Sequence, residues 1–510
     1  MFRIPAVLLI AALGSYVSFA ADALRAPRIW DDAALAEWAT PVAGLNVRPG
    51  VYSSAQYYAV PADNLRTYPV YPPDREPPGY WEWLQKQKPQ PLVDASHLRT
   101  SSEWIAAGDR AFRDLDFILM RTSDRAVIAR ARDPQAFQRA PVQADGSFAP
   151  LRWVVTASGV MLSASACAAC HAATAADRAG AVGRAVELAP RGRQRDGSAT
   201  PPLTGPFGTA RRLQQFYTDD PIPVAMWREF ATPWAPDARI ERMKTMSPME
   251  LQQLQSDEPL ARSFGGGMFA RANSSPYNAT KILDLQTLRY YRYLDATATH
   301  QLRGPEDVAR YAALVTGADA MDFGPHRMLT DAQRRVRFRY ADEVLYAIGM
   351  HLMSLEPPKN PDRASDELVQ RGEQIFRREG CVTCHLPPNY TSGKLTPAQG
   401  WQPPVNHPNR DDILPRSVGT DPALALQTRK GTGLYKIPSL RGIWYRRFLL
   451  HDGSLTSLEE LFDPARLDGA YRPTGWNPPG VTTREVPGHT FGVSLPPDEK
   501  KILLAFLRSL

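Results

Sequence analysis

The sequence predicts a mainly α protein made of two similar units, the first enlarged by loop-rich insertions and preceded by an extended N-terminal arm. Three observations predict it. A Cys-x-x-Cys-His pentapeptide occurs twice, as Cys167-Ala168-Ala169-Cys170-His171 and as Cys381-Val382-Thr383-Cys384-His385. Apolar residues recur at helical spacing ahead of the second pentapeptide and at the end of each half. Segments of the two halves also echo each other at fixed offsets.

The pentapeptide is the attachment signature of c-type haem. Two thiols at this spacing add to the two vinyl groups on one edge of the porphyrin, and the following histidine swings under the ring to ligate iron. A zinc knuckle, a disulfide or a redox Cys-x-x-Cys are the alternatives. None of them needs a histidine directly after the second cysteine in both copies. The chain has 4 Cys, and the two motifs use all of them. Two covalent haems follow, held by Cys167 and Cys170 and by Cys381 and Cys384, with His171 and His385 as proximal ligands. Each half then reads as a cytochrome c-type haem domain.

At 510 residues the chain has room for two or more domains. Its 43% hydrophobic and 22% charged residues are ordinary for a globular protein, and its 47 Pro imply many loops. The net charge of +7 is scattered, without a dense Lys/Arg run, which argues against nucleic-acid binding. Residues 1–20 read as a signal peptide: Arg3, a short apolar run from Ala6 to Leu13, then Ser18-Phe19-Ala20 with cleavage after Ala20. The run is short for a membrane span, and no later stretch approaches one, so no stable membrane insertion is expected. Export suits haem attachment and places the protein in the bacterial periplasm or outside the cell.

Residues 21–98 form the expected arm. Tyr68-Pro69-Val70-Tyr71-Pro72-Pro73 cannot be regular helix, and the density of aromatics, including Trp81 and Trp83, argues that the arm packs on a globular body. The first domain spans 99–358. It opens with a helix near Ser101, where Ser102 and Glu103 precede Trp104, Ala107, Phe112 and Leu115. Residues 153–156 and 160–162 read as a β-hairpin around Ser158-Gly159. The Ala, Arg and Gly-rich stretch to about residue 199 reads as an exposed loop, and 200–280 as irregular. Gly265-Gly266-Gly267 lacks the strand, Lys and helix of a phosphate loop. The chain is expected to be helical again from Asp331, with Ala341 to Leu355 as one helix ended by Pro357-Pro358. The second domain, 362–510, has helices from Ser365 to Arg378 and from Pro497 to Ser509.

The duplication goes beyond the pentapeptides. Ala107-Gly108-Asp109-Arg110-Ala111-Phe112 matches Arg371-Gly372-Glu373-Gln374-Ile375-Phe376. Lys281-Ile282-Leu283-Asp284-Leu285, then Leu288, Tyr290 and Tyr293, matches Lys436-Ile437-Pro438-Ser439-Leu440, then Ile443, Tyr445 and Phe448, at a constant offset of 155 residues. A weaker echo relates Glu343–Leu355 to Lys500–Leu510.

Lys436-Ile437-Pro438-Ser439-Leu440-Arg441-Gly442, His451-Asp452-Gly453-Ser454 and Leu458-Glu459-Glu460 resemble the second-haem domain of the bacterial di-haem cytochrome c peroxidase superfamily, which includes the methylamine dehydrogenase maturation enzyme. The arm (Tyr71-Pro72-Pro73-Asp74-Arg75-Glu76-Pro77-Pro78-Gly79-Tyr80-Trp81) and the large first unit look closer to its rubber-oxygenase-like branch. The resemblance implies a division of labour. One haem is six-coordinate and relays electrons, the other offers its iron to peroxide or oxygen, and an aromatic residue often lies between them. It also leaves room for a calcium ion between the domains, which no acidic loop here identifies.

Typical relatives place a Met on the relay haem, but no Met follows Met353. His407, His451, His489 and Tyr471 are the local candidates. The resemblance favours His489 as the ligand opposite His385, with His451 fixing the His-Asp-Gly loop or a haem propionate. At the first haem, His300 has three readings: distal catalytic base, reversible ligand, or hydrogen-bonded loop histidine. Trp227 and Trp234 are candidates for the aromatic between the haems.

The leading expectation is a peroxidase that takes electrons from a small redox protein of cytochrome c or cupredoxin type and reduces a small-molecule oxidant, hydrogen peroxide, at the first haem over His171. The alternatives are an oxygenase cleaving a hydrophobic polymer, a plain di-haem electron carrier, and an enzyme of protein-cofactor maturation.

Overall fold

The computed structural model describes residues 25–134, 145–148, 151–171, 247, 268–271, 275–332, 334–446, 448–478 and 481–510. The expected signal peptide, Gly265-Gly266-Gly267, Trp227 and Trp234 lie outside them.

Two helix pairs make the frame. In the first half, α1 (Ser101–Asp114) crosses α4 (Asp342–Ser354). In the second, α5 (Asp366–Arg378) crosses α6 (Pro497–Ser509). Between the members of the first pair come α2 (Cys167–His171) and α3 (Pro305–Ala313), and α3 packs on α4.

Local chemistry starts these helices where the sequence says. Thr100 and Glu103 form a reciprocal capping box on α1, and Ser365 caps α5. The expected bounds of α4, α5 and α6 agree with the observed ones to within a residue or two. The expectation of helix from Asp331 onward does not hold. Residues 331–338 contain no helix among those described, and Arg339–Tyr340 is a short strand beside Ala62–Asp63.

Each crossing is close because a glycine sits in it. A Cβ on Gly108 would lie 1.9 Å from the Ala347 carbonyl oxygen and 2.7 Å from His351 Cβ. A Cβ on Gly372 would lie 2.5 Å from the Ile502 oxygen and 2.4 Å from Phe506 Cβ. Ala347 and Ile502, and likewise His351 and Phe506, stand 155 residues apart. The two crossings are therefore copies of one contact, and the duplication read from the sequence is structural. Phe112 and Phe376, the matched aromatics, are both buried in their respective cores.

The expected arm differs from the observed one. Residues 25–98 are not merely extended: they contain short helices Asp32–Ala36, Ser54–Tyr58 and Tyr80–Gln85. They are also woven into the first core. Trp30 and Trp38 are fully buried, and their indole N–H groups donate to the Tyr52 oxygen (2.8 Å) and the Gln301 oxygen (3.0 Å). Burying two tryptophans with satisfied N–H groups gives up large apolar area without an orphaned donor, which secures this segment.

The predicted hairpin is present. β1 (Thr67–Pro69), from the arm, β2 (Leu151–Thr156) and β3 (Gly159–Ala164) form one antiparallel sheet, with Thr156 opposite Gly159 at the turn. Its last strand leads directly into α2. Overall, helix pairs carry the two cores and several small sheets fasten the loops, so the architecture is less purely α than the sequence suggests.

Candidate haem centres

The second centre is the more fully described. Gly380, in the left-handed region (φ 75°), ends the run from α5 and starts a 3₁₀ turn over Cys381–Thr383. His385 follows, and its amide donates to the Cys381 oxygen at 2.9 Å. The His385 ring is buried, with Nδ1 3.1 Å from the Tyr390 carbonyl oxygen. An Nδ1–H donated to that oxygen leaves Nε2 with a free lone pair, the form in which imidazole binds a metal.

The His489 ring lies close by, its centroid 6.3 Å from that of His385 and its plane inclined by 62°. Two imidazoles on opposite sides of one metal atom, each bonded at about 2 Å, place their centroids roughly 6 Å apart. The pair fits a metal held between the rings, and the two cysteine thiols beside His385 fit covalent haem.

The other candidates for that position are engaged elsewhere. The Tyr471 hydroxyl donates to Glu460 Oε1 at 2.7 Å. His407 is buried, and its Nδ1 accepts from the Asn409 amide at 3.2 Å. His451 packs on Tyr435, with ring centroids 4.8 Å apart, and its carbonyl oxygen accepts from the Lys281 amide at 3.0 Å. That backbone bond makes His451 part of the seam between the halves.

At the first centre, α2 carries the pentapeptide against α1, and Cys167 packs on the first core. The side chain of Cys170 is outside the described set. Burial pushes the His171 imidazole down to about 4, opposed by the Leu283 backbone and the Asp284 carboxylate. Burial and the neighbouring His489 push His385 down to about 4, opposed by the Tyr390 and Pro438 backbones. Both rings are thereby held neutral at physiological pH, as a ligand must be. Leu283 and Pro438 are partners at the 155-residue offset, so each motif histidine meets the same point of its own unit.

His300 is buried, with Nδ1 3.0 Å from Thr299 Oγ1. One face packs on Trp38, centroids 4.2 Å apart, and Tyr311 stands edge-on at 5.5 Å. Thr299 and Tyr311 both donate to Asp295 Oδ2. Of the three readings for His300, this surrounding matches the hydrogen-bonded loop histidine.

The seam between the halves is nearly two-fold symmetric. The Lys281 amide donates to the His451 oxygen and the Lys436 amide to the Ala296 oxygen, both at 3.0 Å. Lys281 Nζ donates to the Phe448 oxygen at 3.3 Å, and Lys436 Nζ to the Tyr293 oxygen at 3.4 Å. Every one of these partners is matched at the same offset. Arg446 crosses the seam, donating to Thr287 Oγ1 at 3.3 Å and standing 3.4 Å from Asp284 Oδ2, and Tyr445 donates to Asp284 Oδ2 at 2.6 Å. The two centres are thus carried on one interlocked scaffold.

Sequence reading missed Tyr390, whose carbonyl orients His385, because a backbone acceptor leaves no side-chain signal. It also missed Arg466, which sits in Asp463-Pro464-Ala465-Arg466 and reads as a solvated turn. The Leu283/Pro438 contact was available in the 155-residue echo. Among the described residues no group of three or more His, Cys, Asp or Glu is gathered as a metal site, and no helix is long and apolar enough to cross a membrane.

No family model matches the chain, and no curated protein matches it. Solved structures similar to parts of it include hydrazine synthase from Kuenenia stuttgartiensis, at 14% identity over 57% of this chain and 88% of that one, with a TM-score of 0.29. The diheme peroxidase BthA from Burkholderia thailandensis E264 is similar at 16% identity over 57% of this chain and 86% of that one, with a TM-score of 0.25. A MauG-like protein associated with microbial copper homeostasis is similar at 20% identity over 37% of this chain and 62% of that one, with a TM-score of 0.23.

Proposed function

We propose that this protein is a periplasmic di-haem c-type oxidoreductase, a peroxidase that reduces hydrogen peroxide with electrons from a small redox protein. The observation that carries the reading is the imidazole pair at the second motif. His385 and His489 would hold a haem iron between them, which would suit electron relay and leave binding of an oxidant to the first motif. Haem would supply an iron able to exchange electrons and to bind a small oxidant.

The chain's own residues do the rest. Tyr390 fixes the tautomer and direction of His385. His171, kept neutral by burial, is the proximal ligand of the reactive centre. Lys281, Lys436, Arg446 and Tyr445 tie the halves together across the seam. Covalent attachment through Cys167, Cys170, Cys381 and Cys384, with export for haem attachment, belongs to the same reading.

The test is anaerobic mixing of the haem-loaded protein with hydrogen peroxide and a reduced small cytochrome c, following oxidation of that donor. Sustained turnover that is lost in His171→Ala, with haem retained, is the expected result. Donor oxidation that stops after the second centre is reduced, with no peroxide consumed, would overturn it. Polyisoprene with oxygen would then be the next substrate to try, since a histidine in place of Met on the relay haem is also a feature of the rubber-oxygenase-like branch.

A further inference from the structure

His489 stands in a loop that has little reason to hold its shape alone. It has φ 49°, in the left-handed region that non-glycine residues rarely adopt. Gly488 before it has φ 79°, and a Cβ there would come within 2.6 Å of the Gly419 backbone. The chain at 486–489 is therefore strained at one residue and intolerant of a side chain at the next.

One side chain gathers the carbonyls of this loop. Arg466 is fully buried. Its Nε donates to the Leu461 oxygen (2.9 Å), Nη1 to the Val486 oxygen (2.5 Å), and Nη2 to the Gly488 oxygen (2.9 Å) and the His489 oxygen (2.8 Å). The Val486 amide returns a bond to the Arg466 oxygen at 2.7 Å, and the His489 amide donates to the Val418 oxygen at 2.7 Å. All four of these acceptors are main-chain carbonyls. A buried arginine usually meets a carboxylate or phosphate, which its planar fork suits. Here the fork is spent on the backbone on either side of the residue proposed to face His385.

We propose that Arg466 is the positioning residue of the second centre: by tying the Val486, Gly488 and His489 carbonyls together it holds the His489 imidazole opposite His385. The proposal rests on the reading that a haem iron sits between these two histidines. Arg466 acts through the loop and touches neither the oxidant nor the donor. Its fixed fork geometry matters, because a lysine brings a single ammonium that cannot span carbonyls on both sides of the loop.

The test uses the full chain with both haems attached and three variants: Arg466→Met, Arg466→Lys and His489→Ala. The readouts are the ferric low-spin signal of the second centre by low-temperature electron paramagnetic resonance, and the affinity of that centre for added imidazole. In the parent protein the second centre is expected to be low-spin and closed to imidazole. His489→Ala should open it. Arg466→Met should open part of the population at neutral pH, with the His489 ligand displaced by imidazole at about ten-fold lower concentration or less than in the parent. Arg466→Lys, which keeps the charge, should fall between the two. The signal of the first centre should not change.

Arg466→Met or Arg466→Lys that keeps the parent's low-spin signal and its resistance to imidazole overturns the proposal. If Arg466→Met does not fold, the Arg466→Lys comparison decides. If His489→Ala itself keeps the parent signal, the His385/His489 reading fails, whatever Arg466 does.

Discussion

The two units share a helix crossing and differ in how they are finished. In each, a glycine on the entry helix meets the closing helix at equivalent residues, and a backbone point 155 residues apart faces the motif histidine. The second unit is compact: four residues separate Phe376 from Cys381. The first places a β-hairpin between Phe112 and Cys167, adds a strand from the N-terminal segment to it, and wraps that segment around its core. The second unit ends with a histidine opposite its motif histidine, whereas His300, the candidate for the first, is held in the core by Trp38 and Thr299. One scaffold can thus serve two centres, with chemistry assigned by what is added around the common crossing.

The largest effect expected from breaking this comparison is functional. His171→Ala should lower peroxide turnover on the order of 10²–10³-fold, the scale of losing a group that supports the reacting charge. His489→Ala should change the spectrum of the second centre while the first still binds peroxide. Donor-oxidation assays and ferric spectra on both variants check this. Equal loss of peroxide binding in the two variants would contradict the division of labour.

Next comes the arm, which only the first unit has. Arg121 donates to both carboxylate oxygens of Asp63 in the arm (2.6 and 2.8 Å) and to both of Asp116 (2.8 and 2.8 Å). Asp116 is fully buried. Arg121→Met would leave two carboxylates facing each other without their cation, at a cost of about 3–5 kcal/mol. Limited proteolysis should then release the arm before the second unit is cut. A variant as resistant as the parent would show that the buried tryptophans suffice.

The helix crossings give a smaller, symmetric effect. Gly108→Ala and Gly372→Ala should each destabilise by about 1–3 kcal/mol, because a methyl group must displace a packed neighbour. Gly108→Ala should be the worse, since its Cβ would meet a backbone oxygen at 1.9 Å. Urea unfolding of the haem-loaded variants measures both. If Gly108→Ala is well tolerated and Gly372→Ala is not, the crossings are not equivalent.

These elements also show what the sequence discloses. The pentapeptides, the helices from Ser101 and Ser365, the hairpin at Gly159 and the closing helix from Pro497 were legible, because each depends on local spacing, capping or turn chemistry. His489 was legible only with the help of a family resemblance. The arm's short helices, the orientation of His385 by Tyr390 and the Arg466 bonds were not. They depend on backbone carbonyls and on contacts between residues far apart in the chain, where composition shows only an arginine in a turn or a tryptophan near prolines. The absence of helix among the described residues of 331–338 is a similar case, since apolar spacing alone does not show that the chain just beyond, Arg339–Tyr340, pairs with Ala62–Asp63 of the arm.

The smallest effect concerns the seam. Burial pushes the Lys281 ammonium down to about 7, helped by Arg446 and opposed by Asp284 and Asp452, and pushes Lys436 down to about 8, opposed by Asp295 and helped by Arg446. An unfolded lysine titrates at about 10.4. From about pH 7 to pH 10 the unfolded chain therefore binds more protons at Lys281 than the folded one, and stability from this group rises with pH. Below pH 7 both states carry the charge and the desolvation cost is present in full. Lys281→Met should then raise the melting temperature most at pH 6, by an amount on the order of 1 kcal/mol once the lost bond to the Phe448 oxygen is set against it. The gain should shrink by pH 9. Lys436→Met should behave alike, with its window opening about one pH unit higher. If Lys281→Met instead lowers the melting temperature at pH 6, the ammonium is paired in the haem-loaded protein.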